Sequence, residues 1–217
     1  MRIRSFIIVY ALILAVLLFA DRRPATSLEN RYSHVIDLTR PPSADEKANA
    51  PGSDTQLIAP AALIPGTWSA AQIPAGRLVA PLVVIDIKGS PDQPKEITLN
   101  EVAIWEEHHG VMPQGSIVAI RRTSGITVSG VSPLPITVEA ARFLMDARNV
   151  LGFMVESPIE LTSDRALARQ IALHGAYVVT SATHFSSLSE TESLVIVAPV
   201  KNRSSAENSV RVLAMVK

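Results

Sequence analysis

Side chains that could carry acid–base or metal chemistry are few in this chain, and they are scattered along it. Glu156 and Glu160 follow a short apolar run, and paired carboxylates can exchange protons with a substrate. His184 follows a later apolar run, and Asp54 is a carboxylate that lies two residues before the side-chain amide of Gln56. We therefore take Asp54, Glu156 and His184 as candidates for a catalytic site. Solvated loop charges are the alternative interpretation for both glutamates.

Three further histidines are predicted to lie at helix ends rather than in a site. His108 and His109 are adjacent, so their side chains would diverge by about 100 degrees on a helix. His174 precedes Gly175, which is typical of a helix end. Because cations are favoured near the C-terminus of a helix, these histidines have a structural explanation.

The pattern of apolar runs and capping residues predicts an α/β domain with a mixed sheet. Strands are predicted at 33–39, 78–87, 116–120, 151–155, 176–181, 194–200 and 210–215. A capping box at Thr98 and Glu101 starts a helix that runs to His109, where Gly110 would supply a left-handed stop. Further helices are predicted from Thr137 to residue 150, and from Ser163 or Asp164 to Gly175.

Composition limits the functional classes. With 20 acidic and 20 basic residues, the chain has no net charge to attract nucleic acid, and no basic stripe occurs. It has no cysteine, which excludes disulfides, thiolate nucleophiles and thiolate metal sites. Motifs of serine hydrolases and phosphate-binding glycine loops are also missing from the sequence.

The N-terminus has the pattern of an export signal. Arg2 and Arg4 precede residues 5–20, which carry no charge, and such a run can act as a signal peptide or membrane anchor. We predict a hydrophobic helix within residues 1–20, a tether at 21–32 and one folded domain at 33–217. The domain would lie in the cell envelope, outside the cytoplasm.

Several pieces of the chain, in order, resemble the metal-dependent cyclase and kynurenine formamidase-like (arylformamidase-type) hydrolases. They are the strand 35–39, the segment 73–86, the helix start 137–144 and the strand pair 194–201 and 210–214. The resemblance implies a swivelling β/β/α fold, with zinc or manganese held between a cassette loop and a later helix–strand unit. It also implies a homo-oligomer, at least a dimer.

The cassette of that family reads His-x-Gly-Thr-His-x-Asp-x-Pro-x-His, and only Thr55 and Pro60 of it remain here. The resemblance places the family's metal ligands and proton-transferring residue at six positions, which we call the degenerate site: Gly52, Gln56, Ile58, Ala62, Ala168 and Thr180. A hydrolytic metal needs several nitrogen or oxygen donors and an open position for water. Because these six residues supply almost none, we expect no cofactor.

Three hypotheses follow from these observations. The first is a pseudoenzyme that has lost amide hydrolysis and binds a small molecule in the former pocket, or regulates a partner. The second is an active hydrolase of N-formyl aromatic amines, or of another small amide or lactone, with a rearranged site around Asp54, Gln56, Glu156 and His184. The third is a membrane-tethered interaction module without a ligand.

Overall fold

A computed structural model describes residues 32–41, 54–88, 96–122, 131–161, 164–201 and 207–217. The segment His34–Lys217 forms one compact unit. The predicted hydrophobic helix, the tether up to residue 31 and Gly52 lie outside the described residues. Within the described ranges, no helix is long and apolar enough to cross a membrane.

In the part of the chain that the structure describes, eight strands form one mixed sheet, and seven of them close into a barrel. The strands are β1 (His34–Asp37), β2 (Gln56–Ile58), β3 (Val79–Ile87), β4 (Ile117–Arg122), β5 (Gly152–Val155), β6 (Tyr177–Thr180), β7 (Ser193–Pro199) and β8 (Glu207–Val216). Their order is β1-β8-β2-β6-β5-β4-β3-β7, and the additional pairing of β7 with β8 closes the ring, with β1 outside it. The sequence predicted a mixed sheet, but not its closure, and it missed β2.

Among the described residues, four α-helices pack on the outside of this barrel: α1 (Pro60–Leu63), α2 (Leu99–His109), α3 (Val138–Arg148) and α4 (Arg165–Leu173). The predicted caps Thr98, Thr137 and Asp164 each accept hydrogen bonds from backbone N–H groups of the first turn. Two predicted ends differ. Gly110 has φ 83 and ψ 179, outside the left-handed helical region, and α3 ends before left-handed Asn149. In both places the chain must turn towards its next strand.

The sheet separates two hydrophobic cores, because side chains along a strand alternate between its faces. Inside the barrel lie inward-facing residues of its strands, such as Leu57, Val84, Met154 and Val179. On the outer face, strand residues such as Ile58 pack under the helices. Strands β3, β4, β5 and β6 are parallel. Their C-terminal ends therefore meet at one end of the barrel, which we call the barrel mouth.

Candidate functional site

The structure brings the two segments of the degenerate site together. Strands β2 and β6 are antiparallel neighbours, and Gln56 lies directly opposite Thr180 in their register. Ile58 lies opposite Val178 in the same ladder. Residues opposite each other project to the same face of a sheet, so Gln56, Thr180 and Ile58 share the outer face.

Hydrocarbon fills the space between this face and the helices. Ile58 is 6 % exposed and Ala168, on α4, is 8 % exposed, and both belong to the outer core. Ala62, on α1, is half-buried and packs against the same core. None of these three side chains has an atom that could bind a metal or move a proton. This part of the site is apolar packing.

The amide nitrogen of Gln56 and the hydroxyl of Thr180, in the degenerate site, bind to other atoms of the protein. The Gln56 amide donates to Asp54 Oδ1 at 2.9 Å, and the Ser209 hydroxyl donates to Asp54 Oδ2 at 2.6 Å. The Thr180 hydroxyl donates to the Ser157 carbonyl at 3.0 Å and accepts from the Ile159 N–H at 3.2 Å. These side chains hold the loop after β5 and the start of β2 in place.

The other two candidates, Glu156 and His184, hold a loop at the barrel mouth. Glu156 Oε1 accepts from the Phe185 N–H at 3.1 Å. His184 has a left-handed backbone, with φ 62, and its Nδ1 lies 3.0 Å from the Asp37 carbonyl oxygen. The Thr55 hydroxyl, on the inner face, donates to the Ser181 carbonyl at 2.9 Å. The structure thus uses Glu156 and His184 to position residues 181–188.

Strand alternation keeps the four residues of the rearranged-site hypothesis apart. Asp54 and Gln56 bond to each other beside the outer core, while Glu156 follows inward-facing Met154 by two residues. His184 bonds to the edge strand β1. Glu160 is exposed after the Ile159 bridge.

Sequence reasoning missed the strongest electrostatic feature, which is Arg121 at the barrel mouth. Its guanidinium donates to both carboxylate oxygens of Asp86, at 2.5 and 2.9 Å. It also donates to the carbonyls of Phe185 and Leu188, at 3.1 and 2.8 Å. The Asp86 carboxylate raises the pKa of Arg121 against the effect of burial. The available signal was a charged residue in each of two mostly apolar strands, Asp86 in β3 and Arg121 in β4.

A groove of about 360 Å³ lies beside β3 and α2, away from the degenerate site. We call it the α2 groove; its lining residues are Ile85, Asp86, Ile87, Lys88, Glu101, Ile104, Trp105, His108, His109 and Glu190. His108 and His109 lie in the last turn of α2, as predicted, and each places Nδ1 at a carbonyl four residues earlier. His109 Nε2 also lies 3.0 Å from Glu190 Oε2.

A catalytic metal does not fit the degenerate site as it stands. Ile58 and Ala168 offer only hydrocarbon, and Gln56, whose amide nitrogen donates to Asp54, has one neutral carbonyl oxygen to offer. Across the described ranges, no three His, Cys, Asp or Glu side chains are grouped so that they could hold a metal ion. Because the donor set is missing, we derive no hydrolytic step through a metal.

Comparison with known proteins gives a consistent result. Residues 33–159, more than half of the chain, match the Cyclase family model. No curated protein matches the sequence.

Solved structures with the same fold include isatin hydrolases. Isatin hydrolase A from Labrenzia aggregata, bound to benzyl benzoate, is 22% identical, with a TM-score of 0.71 over 88% of this chain and 96% of that one. Isatin hydrolase A from Ralstonia solanacearum is also 22% identical, with a TM-score of 0.67 over 85% and 92%. A potential metal-dependent hydrolase with cyclase activity is 18% identical, with a TM-score of 0.62 over 85% and 98%.

Proposed function

The chain belongs to the cyclase family, and we propose that it has lost metal-dependent amide hydrolysis and acts as a small-molecule-binding or regulatory pseudoenzyme. The match to the family confirms the resemblance drawn from the sequence. The observation that supports the loss is the burial of Ile58 and Ala168 in one hydrocarbon core at family ligand positions.

Packing explains how the fold can tolerate the loss. In a metal site, buried carboxylates and imidazoles are stabilised by the ion, and without it they would be charged groups lacking partners. Isoleucine and alanine need no partner, and burying their side chains is favourable. The replacements at 58 and 168 are therefore consistent with a barrel that is stable in its metal-free form.

The proposal is tested by metal analysis and hydrolase assays on the purified full chain. After incubation with zinc or manganese and removal of excess ion, we expect well below one metal per chain. We also expect no turnover of isatin, of N-formyl aromatic amines or of small lactones. Tightly bound metal near one equivalent would overturn the proposal.

Turnover that disappears in His184→Ala would favour the active hydrolase with a rearranged site. His34→Ala is the matched control, because His34 is an exposed histidine at the start of β1. If His184 only positions residues 181–188, His184→Ala should lower the stability of the domain, and the parent protein should show no turnover.

Location and assembly are part of the same proposal. We propose that residues 1–20 export or anchor the chain and that the domain lies in the cell envelope, as at least a dimer. Fractionation of cells that express the full chain would test the location, and light scattering would test the dimer. A soluble cytoplasmic pool or a monomer would contradict the respective part.

A further inference from the structure

We propose that the α2 groove binds a small amphipathic monoanion, a carboxylate attached to a ring or short hydrocarbon. The groove shares no residue with the degenerate site, so this proposal does not depend on the loss of hydrolysis. Its volume of about 360 Å³ is within the usual range of small-molecule sites, roughly 300–1,000 Å³.

The apolar part of the groove has a buried floor and an exposed wall. Ile85, Ile87 and Trp105 are 2, 5 and 5 % exposed, whereas Ile104 on α2 is 46 % exposed. The His109 ring stacks on Trp105 with 4.7 Å between ring centroids. A ligand that covers Ile104 would therefore remove apolar surface from water next to a flat aromatic pair.

Each acidic side chain of the groove has a partner. Asp86 is bound by both arms of Arg121. Glu190 faces His109 at 3.0 Å, and its other oxygen lies 3.9 Å from Arg121. Glu101 accepts from the Thr98 backbone N–H at 3.1 Å in the capping box. Arg121 offsets the charge of Asp86 and, at a longer distance, that of Glu190, and the capping box holds the Glu101 carboxylate, so the acids are already engaged within the protein.

The basic side chains Lys88 and His108 of the groove have fewer partners in the protein than the acidic ones. Among the described residues, Lys88 has no ion-pair partner, and His108 uses only Nδ1, which lies 2.7 Å from the Ile104 carbonyl oxygen. The Lys88 ammonium beside the exposed apolar wall of Ile104 favours a ligand with one carboxylate and a hydrocarbon body.

The edge of β3 contributes a backbone donor. The Val84 N–H donates to the Glu190 carbonyl at 3.1 Å, and the Val84 carbonyl accepts from Trp105 Nε1 at 2.9 Å. Both groups point to the side of β3 away from β4. Because backbone groups alternate along a strand, the Asp86 N–H faces the same side, beside Lys88.

Titration calorimetry on the full chain with three probes tests this proposal. 4-Phenylbutyrate, 4-phenylbutanol and 4-phenylbutylamine share one hydrocarbon body and differ in the head group. We expect the carboxylate to bind at least about tenfold more tightly than the alcohol, since charge-assisted bonds are the stronger ones. The amine should bind most weakly. Equal affinity for all three probes, tighter binding of the amine, or no binding of the carboxylate would overturn the proposal.

Matched variants locate the binding. Lys88→Gln should weaken carboxylate binding by roughly three- to tenfold, while Lys201→Gln, at an exposed lysine outside the groove lining, should not. Ile104→Glu should abolish it, and Leu173→Glu, at the 57 % exposed end of α4, is its control. Thermal unfolding checks that each variant folds. Unchanged affinity in both Lys88→Gln and Ile104→Glu would place the carboxylate elsewhere and contradict the proposal.

Discussion

Near the C-terminal ends of the parallel strands, the two faces of the sheet differ in the polarity of their buried side chains. At the outer face, Ile58 and the α4 residue Ala168 place hydrocarbon at positions that the family resemblance assigns to metal ligands. On the inner face, at the barrel mouth, Arg121 remains charged between Asp86 and two loop carbonyls. The two places are only a few strands apart in one barrel.

The difference lies in where the partners come from. A metal ligand has its partner only while the ion is bound, whereas Arg121 has its partners in the chain itself. A buried charge that has partners in the protein is stable, whereas burying a charge whose only partner is an absent ion lowers the stability of the fold.

The largest expected effect is that of Ile58→Asp. An ionised carboxylate at a position 6 % exposed, among Val178 and Ala168, should lower the free energy of unfolding by about 3–5 kcal/mol. Urea unfolding at neutral pH measures it. Ile58→Asn is the matched control, because it keeps a similar shape without the charge. A loss below about 1 kcal/mol would show that water reaches this face.

Restoring the whole ligand set extends that test. The restored variant carries Gly52→His, Gln56→His, Ile58→Asp, Ala62→His, Ala168→His and Thr180→Glu. We expect it to be less stable than the parent without metal, and zinc or manganese should recover part of the loss by binding only the folded state. If neither ion changes the stability of this variant, the alignment of these six residues with the family's ligand positions is wrong.

Arg121→Met at the barrel mouth should have an intermediate effect. It leaves Asp86 and the carbonyls of Phe185 and Leu188 without their donor, and we expect a loss of about 2–4 kcal/mol. The control is Arg211→Met, because Arg211 and Asp37 form an ion pair with side chains 68% and 46% exposed. That control should cost less than about 1 kcal/mol. Equal losses of stability in the two variants would show that Arg121 contributes no more than an exposed ion pair, which contradicts the prediction.

The smallest effect concerns acid. Hydrogen bonding from Thr39, with Arg211, lowers the pKa of Asp37 below its ordinary value of 3.8. A lowered folded-state pKa contributes stability above the unfolded pKa, and this is lost as pH falls through the folded one. Because Asp37 is exposed, we expect about 0.5 kcal/mol or less.

Stability curves of the parent and Asp37→Asn, from about pH 5 to about pH 2, measure this effect. The parent should be the more stable protein at the upper end, and the difference should vanish at the lower end. A difference that stays constant, or grows on acidification, would contradict the assignment.

Helix starts were predictable because their signals are local. Thr98, Thr137 and Asp164 cap backbone groups within three residues, and each acts as expected. The short strand β2 was not predictable, because Gln56–Ile58 is held by pairing with β6 and β8, more than 100 residues away. The contacts of Glu156 with Phe185 and of His184 with Asp37 were not predictable for the same reason, because they also join distant segments.

The sequence alone determined the helix starts and the residue types of the degenerate site, including the absence of histidine and carboxylate at its six positions. Caps involve atoms a few residues apart, and ligand chemistry belongs to the residue type. Only the tertiary structure decided that Gln56 faces Thr180 and that Ile58 and Ala168 share one core. Strand register and barrel closure join distant segments, and the face that a side chain occupies follows from that pairing.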